Sequence, residues 1–336
     1  MLEALSSSQR LKTRFELLPV LVRAANVAGL AIVILLLVTI VASLAPGFLS
    51  PFNLFTLTRN LAIDTVIGFS MMVVLATGGM NLAIGSIGVC AIMATGYLLE
   101  VLGLPIVVSI AGGLAVAAIL GWLNGILIVR TGIHSFVITL ATASLYFGAM
   151  LILTKAEAFR ELPAAFNALG KARFGPYSAL LTVTFAVGAA LLVLFKYSLV
   201  GRQILAAGAN PVAAKLSGTP VERVIVVAHV LSGLCAGIAG VMVAARLAAA
   251  LPSVGQDWLL PSFLAPLLGG TLLSGGLVSV VGTLLGAVLV TVLQNGLVLL
   301  KVGSFWIQFF LGLTLLVAVG LDRWRSVYVQ RAGLKR

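Results

Sequence analysis

The chain has 336 residues, of which 61% are hydrophobic and 9% charged, with a mean hydropathy of +1.20; a soluble domain carries roughly 25% charged residues. Such a composition excludes water as the main solvent, because too little polar surface would be left to cover the core, so lipid faces much of the outside. The net charge of +12 does not indicate nucleic acid, since Lys and Arg are spread over short connections and both ends with no interleaved aromatic platform.

A polar segment, residues 1–23, carries Arg10, Lys12, Arg14 and Arg23 and leads into the first apolar run, Ala24 to Ala45. That run exceeds the roughly 7–15 residues of a signal-peptide core and shows no convincing cleavage site, so it reads as a retained helix. About 20 apolar residues cross the hydrocarbon. Further runs follow at Leu61 to Thr77, Leu82 to Leu102, Pro105 to Val129, Ile133 to Leu153 and Tyr177 to Phe195. The last are Val221 to Ala245, Leu259 to Leu273, Val278 to Leu300 and Phe305 to Leu321.

The expected fold class is therefore an all-α membrane protein of about ten transmembrane helices. One transmembrane domain spans 24–322, and a basic tail occupies 323–336. With both termini cytoplasmic, the inside segments hold twice as many basic residues as the outside ones, against the four outside charges Lys155, Arg160, Lys171 and Arg173. Topology alone explains the basic tail, although it could also bind anionic lipid.

Two glycine clusters interrupt the helical rhythm, Thr77 to Ser86 and Leu268 to Gly276, each between a short apolar run and a longer one. Interrupted helices in two pseudo-repeated halves are what repeat-built transporters show, because unwound backbone at membrane depth is tolerated where it lines a polar cavity. Gly78, Gly79, Asn81, Ser86, Asn124, Gly269, Gly270, Gly275 and Gly276 are thus candidates for the wall of a pathway. The competing reading is that glycines merely let helices pack closely. Asn81 is harder to dismiss, since a carboxamide facing lipid is left unsatisfied.

The connection 196–220 is unlike a random loop. Short Ala-rich turns are punctuated by Gly208, Asn210-Pro211 and Gly218, with Asn210 as an N-cap, Pro211 in the first turn and Gly218 as the stop of a small helix on the membrane face. Small residues there would let another protein approach, while Arg202 and Lys215 could pair with its acidic groups. An ordinary solvated connector is the alternative.

No enzyme site is legible. The phosphate-cradling Gly-x-x-x-x-Gly-Lys-Ser/Thr loop is absent, as are a Ser/His/Asp order, a metal cluster and a paired-carboxylate site. Cys90 and Cys235 have neither metal spacing nor a disulfide framework. His134 suits a helix start at the interface, and His229 suits hydrogen bonding within the bundle. Asp64 and Glu100 are expected near span ends, so no mid-membrane acid is available to bind a driving cation.

From about Pro46 onward the chain resembles the ribose-type, or monosaccharide, family of bacterial ABC permeases, within the group that includes branched-chain amino-acid permeases. The resemblance lies in Gly78 to Ser86, Asn124-Gly125 with Ser135 to Leu140, and Gly201 to Gly218. It continues through Leu268 to Thr271 with Ser274 to Gly276, Gly282-Thr283 with Gly286-Ala287, Phe305 to Gln308 and Leu321-Asp322. Many sugar members carry an acid where this chain has Asn81.

The resemblance implies a permease subunit of a binding-protein-dependent importer, multi-pass in a bacterial inner membrane. Its partners would be a cytoplasmic ATP-binding subunit, a second permease subunit (identical or related) and a soluble substrate-binding protein, with no cofactor. Gly201, Arg202, Ala206, Ala207, Gly208, Asn210, Ala213, Ala214, Lys215 and Gly218 would form the segment coupling to the ATPase. Alternatives are a branched-chain amino-acid permease, and less readily a channel, an ion-coupled carrier or a receptor-like protein.

Overall fold

The computed structural model describes residues 28–303, 306–317 and 320. The predicted cytoplasmic segment 1–23, the basic tail 323–336 and Phe305 to Gln308 at its first residue fall wholly or partly outside them. Among the described residues six helices are long and apolar enough to cross a membrane. They are α2 (Pro51–Leu75), α4 (Ile106–Thr131), α5 (Ser135–Thr154), α7 (Leu180–Tyr197), α10 (Val221–Leu247) and α12 (Val280–Leu299). Four shorter apolar helices join them, α1 (Ala28–Leu44), α3 (Ile84–Glu100), α11 (Leu259–Leu268) and α13 (Trp306–Val317). Three further short helices complete the set among the described residues: α6 (Ala164–Lys171), α8 (Leu199–Ala209) and α9 (Pro211–Leu216).

Local signals explain most helix ends. Ser50 caps α2 by accepting from the Asn53 amide, with Pro51 at the first position. His134 caps α5 through Nδ1, which accepts from the Phe136 amide at 3.2 Å. Gly132 closes α4 with φ of +68°, a left-handed stop that glycine adopts without steric cost.

One prediction is corrected at α2, which begins ten residues before the expected Leu61. The added turns carry Asn53, Arg59 and Asn60, whose polarity hides them from a hydropathy window. Asp64 consequently lies in the middle of a long helix, not near its end, and accepts from Thr291 Oγ1 of α12 at 3.2 Å. The absence of a mid-membrane acid is therefore no argument about the driving force.

Helices α2 and α10 form the buried axis. They run antiparallel: Ser70 meets Ser232 through a 2.8 Å bond, while Arg246 donates to Asn60 Oδ1 at 2.6 Å. Helix α4 approaches α10 so closely that a Cβ on Gly121 would meet the His229 carbonyl, and one on Gly233 the Ala117 carbonyl. Dispersion and close backbone approach, more than hydrophobic transfer, drive such contacts in lipid. His229 bonds within its own helix, to the Ile225 carbonyl at 3.0 Å. At the far end of the axis Asn53 and Asn295 exchange two amide bonds of 2.9 and 3.0 Å. Leu35, Leu36, Val107, Leu145, Ile152 and Phe185 are exposed on α1, α4, α5 and α7, as a lipid-facing rim requires.

The two ends of the bundle differ. Helices α8 and α9 sit at the N-terminal end of α10. At its C-terminal end lies a small hairpin of β1 (Arg173–Phe174) and β2 (Tyr177–Ser178), and a bridge pairs Phe159 with Ala250.

Candidate functional site

Between α2 and α3 the chain unwinds at residues 76–83, and side chains from two other helices, α5 and α10, stitch it down. Asn81 donates through Nδ2 to Ser232 Oγ of α10 at 2.9 Å and accepts at Oδ1 from the Ala83 amide at 3.0 Å. Ser70 and Ser232 close the circuit, their hydroxyls 3.0 Å apart. From α5, Ser135 Oγ accepts from the Met80 amide at 2.9 Å and Thr139 Oγ1 from the Leu82 amide at 3.0 Å. Asn81 is fully buried, so its amide is spent inside the bundle, as its polarity demands.

The second unwound segment, 269–279, meets the first. The Gly276 amide donates to the Ala76 carbonyl at 3.0 Å. A Cβ on Gly78 would lie 3.2 Å from the Ser274 carbonyl, and one on Gly275 would lie 2.8 Å from the Gly78 Cα. Gly78, Gly270, Gly275 and Gly276 all have positive φ, between +76° and +84°, a region where L side chains are strained. Gly269 abuts Gly282 of α12 backbone to backbone.

Into this junction fits the end of α8. A Cβ on Gly208 would strike the Ala76 carbonyl and lie 2.6 Å from the Gly276 amide nitrogen, and one on Gly276 would lie 2.7 Å from the Ala209 Cα. Gly208, expected as a break, lies inside α8, buried, where only hydrogen fits. Gly201 bends α8 back onto α7, since a Cβ there would meet the Leu194 carbonyl. The break comes one residue after α8, where Asn210 accepts from the Ala213 amide at 3.0 Å, Pro211 opens α9, and Gly218 follows its end with φ of +80°.

Ala207 and Ala214 face inward, whereas Arg202, Ala206, Ala213 and Lys215 are exposed. Lys215 pairs with Glu222 at 3.0 Å. Beside that pair Val212 and Leu216 are 70% and 86% exposed and line a shallow groove with Pro211 and Val221. The sequence marks Val212 and Leu216 only as two apolar residues four apart on a six-residue helix that carries a single charge, Lys215.

Ser86 and Asn124 do not join the junction. Asn124 is buried between α4 and α5, accepting from the Tyr146 hydroxyl at 2.8 Å. Ser86, on the first turn of α3, donates to the Ala143 carbonyl at 2.8 Å and lines an open cavity of about 360 Å³ with Ser144, Phe147 and Gln256. Gln256 belongs to the connection after α10, expected as an outer loop. It instead dips to α3, where Gly255 and Gly85 touch backbone to backbone. A Gly-Gln pair between apolar runs was its only trace. Among the described residues no group of three His, Cys, Asp or Glu could hold a metal.

Known proteins share this chain's plan. The family described as "Branched-chain amino acid transport system / permease component" matches residues 51–319. The ribose import permease protein of Bacillus subtilis is 37% identical over 297 residues, which cover 87% of this chain and 91% of that protein. Its counterpart in Escherichia coli K12 is 30% identical over 298 residues, 87% and 92% of the two chains. The fructose import permease protein of Rhizobium meliloti is 30% identical over 303 residues, 88% and 84% of the two. Among solved structures none gives a match.

Proposed function

The chain belongs to the branched-chain amino acid transport system / permease component family, as a multi-pass membrane transport subunit and not an enzyme, and on that premise we propose that it imports a monosaccharide. The similar proteins named for ribose and fructose import support that choice of solute. The ten apolar helices lie in a bacterial inner membrane, six of them long enough to cross it unaided, with both termini, α8 and α9 on the cytoplasmic side. A partner ATPase grips α8 and α9, a soluble binding protein delivers the sugar from the other side, and a second permease subunit completes the path.

One observation carries the mechanism: the end of α8 is wedged against both unwound segments at once. Movement of α8 by the ATPase therefore displaces Ala76 to Gly78 and Ser274 to Gly276 together, opening the path alternately to each side. In the groove between Val212, Leu216 and the Lys215–Glu222 pair, apolar contact supplies affinity and the charges fix orientation. Gly79, Asn81, Gly269 and Gly270 then frame the path as it opens and Ser86 lines it from the neighbouring cavity, while Asn124, held by Tyr146 between α4 and α5, stays apart from it.

The test is uptake by vesicles containing this chain and its copurified ATPase, supplied with the soluble binding protein. ATP-dependent uptake of ribose, unaffected by a proton ionophore, is expected. Accumulation by this chain alone, collapsing with the ionophore, would reject ATP drive and assign the energetic role to Asp64. The family's own description favours a second reading, a branched-chain amino-acid permease; leucine uptake without ribose uptake would establish it.

A further inference from the structure

Residues 251–257 bring polar groups to a depth where the bundle itself has no use for them. Gly255 rests on Gly85, where a Cβ on either would meet the other's backbone, and Trp258 covers Gly88. Across the resulting cavity stand Ser144 and Phe147, on the third and fourth turns of α5. At 1.5 Å per residue they lie about 14–18 Å from the start of that helix, midway through a hydrocarbon layer of roughly 30 Å. Gln256 and Ser144 are exposed there and have no hydrogen-bond partner among the described residues. A primary amide held against lipid at that depth would leave two donors and an acceptor unsatisfied. Water or a polar solute must therefore fill the space.

The lining selects the solute. Its volume, about 360 Å³, falls in the range of roughly 300–1,000 Å³ typical of small-molecule sites. The carboxamide offers donors and an acceptor in one plane, which suits adjacent hydroxyls, and the Ser144 hydroxyl can donate or accept. The negative face of the Phe147 ring attracts the C–H face of a sugar ring. No lining residue is charged, so the carboxylate and ammonium of a free amino acid would find no counter-charge.

We propose that this cavity is a monosaccharide subsite of the translocation path, in which Gln256 and Ser144 hydrogen-bond ring hydroxyls and Phe147 packs against the ring's apolar face. The assignment rests on the importer function proposed above and names its specificity-determining residues. A site built to bond hydroxyls discriminates most against solutes that leave its groups unpaired.

The experiment uses the assembled transporter with its ATPase and binding protein. Initial uptake of D-ribose, D-fructose, L-arabinose and D-allose is measured against concentration for the native chain and for Gln256→Leu, Gln256→Asn and Phe147→Ala. Gln256→Leu is expected to lower uptake of the preferred sugar about tenfold, the effect of one or two neutral hydrogen bonds, and to change the order of preference. ATPase stimulation by the binding protein should persist, and Gln256→Asn should recover part of the selectivity. Unchanged ratios among the four sugars in both Gln256→Leu and Phe147→Ala, at full or uniformly reduced rate, overturn the subsite alone. Should the native transporter take up none of the four, the chain is no monosaccharide importer and the subsite falls with that function.

Discussion

At residues 76–83 the unwound chain is held by side chains: Asn81 bonds Ser232, Ser135 takes the Met80 amide, and Thr139 takes the Leu82 amide. At residues 269–279, among the described residues, the only side-chain bonds to backbone belong to the start of α12, where Ser279 Oγ accepts from the Gly282 amide and Thr283 Oγ1 donates to the Ser279 carbonyl. That segment leans on the first through the Gly276 to Ala76 bond and on α12 through the Gly269–Gly282 abutment. Even its own Thr271 hydroxyl is buried without a partner. The two pseudo-equivalent breaks are thus built for different work, one anchored to the α2–α10 axis and one held mainly by fit. When α8 displaces both breaks, the less tethered one is expected to move further.

Four substitutions test that contrast, by melting of the detergent-solubilised protein and by ATP-dependent uptake. Gly208→Val should act most strongly, because its side chain must enter space occupied by the Ala76 carbonyl. Overpacking of this kind costs about 3 kcal/mol, and uptake should be abolished; native behaviour would mean that α8 does not seat in the junction. Asn81→Leu leaves Ser232 and the Ala83 amide without their partner, a loss of about 2 kcal/mol. If melting is unchanged but uptake is lost, Asn81 serves the path and does not anchor the break.

Thr139→Val removes one interhelical acceptor, worth about 0.6–1.5 kcal/mol in a membrane. An equal loss on altering the second break would erase the asymmetry. Thr271→Val is that control: deleting a buried, unpartnered hydroxyl should leave stability unchanged within about 0.5 kcal/mol, or raise it slightly. A drop as large as that of Thr139→Val would reveal a bond in another conformation and make the two breaks alike.

Local chemistry was what the sequence made legible. The cap at Asn210, the first-turn Pro211 and the stop at Gly218 are written in adjacent residues, and the structure has all three. Both glycine clusters were visible for the same reason. The start of α2 is also written, as Ser50-Pro51, but the polar turns at Asn53, Arg59 and Asn60 break the apolar run that marks a span, and the central place of Asp64 is hidden with them. Contacts between distant segments left no such mark. Nothing near Gly208 announces Ala76 or Gly276, and nothing near Gln256 announces Phe147; only chain folding brings these pairs together.

Helix α2 has a further consequence. It is one uninterrupted 25-residue rod, about 37 Å long at 1.5 Å per residue, reaching from the break at Ala76 to the paired amides of Asn53 and Asn295. A rigid shaft carries rotation applied at one end to the other. The reciprocal amide ring is therefore a natural gauge, where twisting begun beside α8 would register as a change in carbonyl stretching frequency at the opposite end of the helix.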